Sequence, residues 1–124
     1  MNYLKTAMIA LFGLSLMGVV HAAPMPVHDA SGRLTSVDGR SLYVYDRDMI
    51  GHAGTCVGPC AAMWPPYLAS AGAMPADGFS LIKRSDDDRL QWAWHGRPLY
   101  RYAGDSRPGE QSGDRINGVW HLAR

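Results

Sequence analysis

Cys56 and Cys60 are the only cysteines in this chain of 124 residues, and they stand four positions apart. Export to an oxidising compartment, argued below, makes a disulfide the first expectation for such a pair. In a regular helix, side chains four apart hold their Cβ atoms about 5–6 Å from each other, beyond the roughly 3.5–4.5 Å that a disulfide wants. Gly58-Pro59 between them resolves the difficulty. A helix that starts at Pro59 leaves Cys56 in the preceding turn, from which it can fold back onto Cys60. The alternative chemistry is thiol redox or metal binding. A thiolate at Cys60, near a helix N-terminus, would be stabilised by unpaired N–H groups. His52, Cys56, Cys60 and Met63 also follow one another at spacings of four, four and three, a set of soft and imidazole ligands suited to copper. No histidine directly follows Cys60, which argues against covalently attached haem. Serines, histidines and aspartates occur without a nucleophile-elbow pattern, so no catalytic residue is assigned.

The compartment is read from the N-terminus. Lys5 supplies a positive start, and Ala7 to Val20 is an uncharged, mostly apolar run too short for a comfortable membrane span. Val20-His21-Ala22 offers small or aliphatic residues where a signal peptidase reads, so cleavage is expected near Ala22. Residues 1–22 are therefore expected to be a signal peptide, and no membrane span is expected once it is removed. Lys5 is the one charged side chain in that segment, which leaves 11 basic residues of the 12 against 11 acidic ones. A mature chain of near-zero net charge, without a basic stripe, does not suit nucleic acid or an acidic membrane surface.

The elements that must position the cysteines are set out by a repeat. Residues 38 to 48 read Asp-Gly-Arg-Ser-Leu-Tyr-Val-Tyr-Asp-Arg-Asp, and residues 95 to 105 read His-Gly-Arg-Pro-Leu-Tyr-Arg-Tyr-Ala-Gly-Asp, with six of eleven positions identical at an offset of 57. Asp38-Gly39 and His95-Gly96 suit tight hairpin turns, because glycine accepts positive φ without steric cost. Leu42 to Tyr45 and Leu99 to Tyr102 are then return strands, preceded by Arg33 to Val37 and by Leu90 to Trp94. Phe79 to Arg84 reads as a further strand, joined to Leu90 by a solvated Ser85-Asp86-Asp87-Asp88 loop, and Gly118 to Leu122 as the last strand. Between the copies, Pro59 to Trp64 reads as one to two helical turns stopped by Pro65. Residues 23–31 are Pro-rich without periodicity and read as a flexible leader.

Alternation along the strands puts Tyr43 and Tyr45 on one face in copy one, and Tyr100 and Tyr102 in copy two. The opposite face carries Leu42 and Val44 in the first copy, but Leu99 and Arg101 in the second. The tyrosines either pack as core or form a binding surface with Arg40 and Arg97, which recur one residue after each turn glycine. Asp48 and Asp105 fall three residues after the second tyrosine, where a carboxylate most simply accepts backbone N–H groups in a turn.

Taken together, these motifs resemble a known family. Tyr43-x-Tyr45-x-x-Asp48 and Tyr100-x-Tyr102-x-x-Asp105 match the tyrosine, any, aromatic, any, any, aspartate signature of the predicted lipoproteins called the secreted repeat of unknown function. Cys56-x-Gly58-x-Cys60-Ala61 followed by Trp64-Pro65-Pro66, Gly96-x-Pro98-Leu99-Tyr100, and Gly118-Val119-Trp120-His121 are similar to the same family. The resemblance spans roughly residues 33 to 123. It implies an exported domain of paired repeats, and it brings no catalytic residues. The lipid-attachment cysteine usual in that family is missing, so a soluble periplasmic or secreted form is expected.

The expected architecture is all-β: a small antiparallel sheet, sandwich or open barrel built from two hairpin-centred repeats, with one short helix after the first. Residues 32–124 form one domain, with repeat one at about 32–66 and repeat two at about 79–124. Trp64 and Trp120 are structural members of the motifs. The expected function is a non-enzymatic binding or envelope-associated module that requires no cofactor and meets an unknown envelope or extracellular partner. The alternative is a periplasmic thiol-redox or copper-binding protein using Cys56 and Cys60, with His52 and Met63.

Overall fold

The two repeat copies pair with each other through the same residue. Tyr43 and its counterpart Tyr100 face one another across an antiparallel bridge, exchanging N–H···O bonds of 2.8 and 3.0 Å. This is seen in a computed structural model, which describes residues 22–124. The expected signal peptide thus lies outside the described residues except for Ala22.

In chain order the elements are β1 (Val27–His28), β2 (Leu34–Thr35), β3 (Tyr43–Tyr45), α1 (Pro59–Met63), β4 (Phe79–Lys83), β5 (Leu90–Trp94), β6 (Arg97–Pro98), a 3-10 turn (Ile116–Gly118) and β7 (Trp120–Leu122). They form three small antiparallel sheets, β1-β2, β3-β7 and β4-β5-β6. The class is all-β with one short helix, and the described residues form no closed barrel. In copy two the turn forms as expected, β5 turning through His95-Gly96, both at positive φ (46° and 79°), but the return strand is β6 at Arg97–Pro98 rather than Leu99 to Tyr102, because Tyr100 leaves the hairpin to bridge Tyr43 and Pro66. In copy one the turn is one residue longer than expected: the chain turns through Val37-Asp38-Gly39, the Gly39 N–H donating to Ser36 O (2.9 Å) with Gly39 at φ 87° and Asp38 outside the positive-φ region, and the hairpin is short. Beyond the Thr35–Ser41 bridge, the return strand leaves its hairpin partner and pairs as β3 with β7, Tyr43 opposite Leu122 and Tyr45 opposite Trp120. Strand length is the reason: a two-residue β2 cannot satisfy the backbone of β3, and the C-terminal strand does.

Side-chain alternation divides the interior in two. Leu42 and Leu99 point into one cluster with Leu34, Tyr67, Phe79 and Trp92, against which Val44 packs. Tyr43 and Tyr100 point into the other with Cys56, Trp64, Trp120 and Leu122, against which Tyr45 and Tyr102 pack. The strands that carry the repeated motif are therefore the partition between the two clusters, which is what a period of two on a sheet buried on both faces produces.

The segment read as a flexible leader is docked. The Ala23 N–H donates to the Leu68 carbonyl (2.7 Å), β1 pairs with β2, and Pro26 is fully buried. The cause lies in the core rather than in the leader. The Trp92 indole N–H and the Tyr67 hydroxyl need acceptors once buried, and the carbonyls of Ala23 (2.9 Å) and Pro24 (3.0 Å) provide them.

Candidate functional site

Four side chains of the repeated motif form a reciprocal set. The Tyr43 hydroxyl of copy one donates to the Asp105 carboxylate of copy two (2.6 Å), and the Tyr100 hydroxyl of copy two donates to the Asp48 carboxylate of copy one (2.7 Å). The second oxygen of each aspartate accepts a backbone N–H seven residues further on: Thr55 for Asp48 (2.8 Å) and Ser112 for Asp105 (2.9 Å). The turn role expected for the aspartates is present, and the cross-copy bond to tyrosine is an addition to it. Both phenols are fully buried and hold their protons above the ordinary tyrosine range. Burial is the larger cause, and the adjacent carboxylate adds to it, because an anionic phenolate beside an anion in a dry site is doubly disfavoured. Backbone amides of Gly113 and Cys56 oppose the shift in part.

Around these tyrosines four rings stack in a row. Tyr45 lies on Trp120 (4.2 Å between centroids), Trp120 on Trp64 (3.8 Å, 4° between planes), and Trp64 on Tyr102 (4.5 Å). Tyr43 meets Trp64 edge-on and Tyr100 meets Trp120 edge-on. Of the surface set expected from sequence, Tyr43 and Tyr100 therefore belong to the core, and Tyr45 and Tyr102 are the half-buried ends of the stack. Arg97 is exposed, and Arg40 is half-buried with its guanidinium bonded to the carbonyls of Asp105 (3.2 Å) and Ser106 (3.4 Å). The six residues do not form one continuous patch.

Cys56 and Cys60 are joined in a disulfide, with Cα atoms 5.2 Å apart. Pro59 opens α1 as expected, and Cys56 precedes it. Cys56 is fully buried, while Cys60 is half-buried. Its carbonyl ties the loop to repeat two's sheet: the buried Arg84 donates to Cys56 O (3.2 Å), to the Gln91 side chain (2.9 Å) and to both oxygens of Asp86. With the sulfurs bonded to each other neither is a thiolate, and His52 and Met63 are both exposed. Among the described residues, no three His, Cys, Asp or Glu side chains are grouped to hold a metal ion.

One cleft borders the repeat motif. It encloses about 240 Å³ between Arg40, Ser41 and Asp105 on one side and Pro65, Arg101, Tyr102 and Ala103 on the other. Backbone bonds from Arg101 N–H to Pro65 O (2.7 Å) and from Ala103 N–H to Met63 O (2.8 Å) fix its far wall. The Arg101 guanidinium lies over the Tyr67 ring, 5.2 Å from its centroid. Tyr67 is buried, which pushes its phenol up to about 12 even though this guanidinium acts in the opposite direction. Arg101 and Arg84 were not singled out from sequence as site residues. For Arg101 the signal was available, since it replaces Val44 at the equivalent position; for Arg84 there was none. A larger, more apolar hollow of about 630 Å³ lies beside Ala22, walled by Leu68, Ala69 and Leu90, and contains no residue of the repeated motif.

A family model described as a secreted repeat of unknown function matches the chain twice, over residues 26–67 and 81–124. No curated protein and no solved structure matches the chain.

Proposed function

The chain belongs to the family described as a secreted repeat of unknown function, and from that membership and the geometry above we propose that it is a non-enzymatic binding module of the cell envelope. It acts in the periplasm or outside the cell, after cleavage near Ala22. One observation carries the reading. The polar groups of the repeated motif are spent on each other, Tyr43 on Asp105 and Tyr100 on Asp48. What remains for a partner is a surface of cations and ring edges: Arg40, Arg101 and Tyr102 at the cleft, with Arg97 and Tyr45 elsewhere. Arg and Tyr are residue types enriched where proteins make contacts.

The test is cosedimentation of the purified, oxidised protein with cell-envelope fractions. The wild type should sediment with them, and Arg40→Ala combined with Tyr102→Ala should sediment less. If neither protein sediments, or both do equally, the reading falls.

A second reading, thiol redox or copper binding at Cys56 and Cys60, is favoured by one feature. Cys60 reaches solvent in the first turn of α1, where a thiolate released by reduction would meet unpaired N–H groups. Alkylation of one sample after mild reductant, and copper uptake by a second sample reduced but not alkylated, separate the two. A disulfide that resists the reductant and a reduced protein that takes up no copper would exclude the second reading. Copper retained by the reduced wild type and lost on Cys60→Ser would put it first.

A further inference from the structure

We propose that the cleft between Arg40 and Arg101 is a carboxylate-binding site, taking an organic acid group carried on a short apolar stem. The inference rests on the binding-module reading and specifies the chemistry of its ligand.

The argument starts from the broken symmetry. The two copies share their glycine turn, their tyrosines, their aspartate and the stacked tryptophan beside them, but where the first has Val44 packed against the core, the second has Arg101. A charge in place of a core-packing valine brings no gain in apolar burial and needs another explanation. Its surroundings supply one. Among the described residues Arg47, Arg97, Arg101 and Arg124 are the arginines without an ion pair. Arg47, Arg97 and Arg124 are exposed and water serves them, whereas Arg101 is half-buried and lines a cleft. Tyr67 is its close partner, and its charge also reaches the Asp38 carboxylate, but no ion pair occupies the N–H groups of the guanidinium.

The local acids do not fill that role. Asp105 is in the cleft wall, but its oxygens are taken by the Tyr43 hydroxyl and the Ser112 N–H. Asp38 is held below the usual carboxylate range by the Ser36 hydroxyl first, and by the charge of Arg101 as well as of Arg40, but its ion pair at 3.5 Å is with Arg40 and it is more than half exposed. Arg40 in turn is pinned to the carbonyls of Asp105 and Ser106, so it adds positive potential without offering its whole fork. The ligand's anion thus meets one guanidinium that has no ion pair, for which it competes with the more exposed Asp38, and such a group pairs best with a planar carboxylate. Pro65 and the Tyr102 ring, held in place by Trp64, make the remaining wall apolar. A volume of about 240 Å³ is below the range of about 300–1,000 Å³ usual for sites that enclose a whole small molecule. The cleft therefore suits an acid group projecting from something larger.

Benzoate is the probe, with inorganic phosphate as the comparison anion, and amide NMR shifts as the readout. Benzoate should shift residues 40–41 and 101–103 saturably in the millimolar range, more tightly than phosphate. Arg101→Gln should weaken it by at least about tenfold, the loss expected for a charged hydrogen bond, while Arg47→Gln, at an exposed arginine outside the cleft, should leave it unchanged. Arg101→Lys, which keeps the charge but not the planar fork, should fall between them, and thermal unfolding of each variant establishes that it is folded. Phosphate binding as tightly as benzoate overturns the carboxylate assignment. Benzoate failing to saturate, or binding equally to Arg101→Gln, overturns the site, and the binding-module reading then stands or falls on cosedimentation alone. Saturable benzoate binding in a protein that sediments with no envelope fraction supports the site and removes that reading.

Discussion

Tyr43 and Tyr100 hydrogen-bond each other through their backbones and donate their side-chain hydroxyls each to the aspartate of the other's copy. A duplicated motif can be satisfied within each copy or across the pair. Here the Tyr-x-Tyr-x-x-Asp spacing places the aspartate beyond the end of its own strand, where the loop after it folds toward the neighbour. Each copy thus completes the polar core of the other, and neither has a full set of partners alone.

Removing one phenol oxygen should show this directly. Tyr43→Phe leaves the buried Asp105 with the Ser112 N–H as its remaining donor, and Tyr100→Phe leaves the half-buried Asp48 with the Thr55 N–H and hydroxyl, losses within about 1–3 kcal/mol. Tyr43→Phe should cost the more, because Asp105 is buried and the Tyr43 hydroxyl also accepts the Gly113 N–H (3.2 Å), whereas Asp48 keeps the Thr55 hydroxyl (2.7 Å). Denaturant unfolding measures both, and a cycle with Asp105→Asn or Asp48→Asn should give coupling for the cross-copy pairs. Coupling between Tyr43 and Asp48 instead, which belong to the same copy, would refute the reciprocal arrangement.

Alkali should unfold the protein cooperatively. Burial raises the phenols of Tyr43, Tyr67 and Tyr100 above the ordinary tyrosine value of about 10. A raised pKa means that the folded state keeps protons that the unfolded chain has released. The stabilisation is complete below pH 10 and declines above it, by about 1.4 kcal/mol per pH unit for each such group. Tyrosine ionisation followed by ultraviolet absorbance should therefore show one set titrating freely and another appearing only with the loss of near-ultraviolet circular dichroism. Smooth titration of every tyrosine in a protein that stays folded would contradict the burial of these hydroxyls.

The sequence carried the local geometry of this fold well and its long-range pairing poorly. Glycine turns, the Pro59 helix start and strand alternation are encoded within a few residues, so the hairpin at His95-Gly96, α1 and the two faces of each motif strand were all legible. The pairing of β3 with β7 was not, since it depends on which distant strand is left with free backbone groups. The docking of residues 23–31 was hidden for a related reason: those residues are held by donors on Tyr67 and Trp92 rather than by any pattern of their own. Asp48 and Asp105 could be placed in turns, but their bonds to tyrosines 52 and 62 residues away have no signal in a single copy. Only the coincidence of both copies hints at them.

Two glycines guard the reciprocal set by lacking a side chain. A Cβ on Gly54 would overlap the Tyr100 hydroxyl, and one on Gly113 would sit 2.8 Å from Trp64 and 2.9 Å from Tyr43. Neither neighbour can yield easily, because each is buried in the aromatic cluster. Gly54→Ala and Gly113→Ala should each destabilise by about 1–3 kcal/mol, the usual effect of overpacking. Gly72→Ala, which meets nothing within 4 Å, should change stability by less than about 0.5 kcal/mol. Thermal unfolding of the three variants decides the matter, and equal effects at Gly54 and Gly72 would count against the packing described.

The disulfide should matter less to stability than its position suggests. The loop between Cys56 and Cys60 closes over a sequence separation of 4, so joining its ends removes little freedom from the unfolded chain, worth about 2 kcal/mol. The loop also has other anchors: Arg84 on the Cys56 carbonyl and Trp64 in the ring stack. Reduced protein, or the Cys56→Ala and Cys60→Ala double variant, should therefore remain folded with the exciton signal of the stacked Trp64 and Trp120 intact in circular dichroism. Arg84→Ala should cost more, roughly 3 kcal/mol or above, since it leaves two buried acceptors, the Gln91 side-chain oxygen and the Cys56 carbonyl, without this donor at once, at about 1–3 kcal/mol for each. If reduction instead abolishes the tryptophan signal while Arg84→Ala preserves it, the disulfide and not the buried arginine holds repeat one against repeat two.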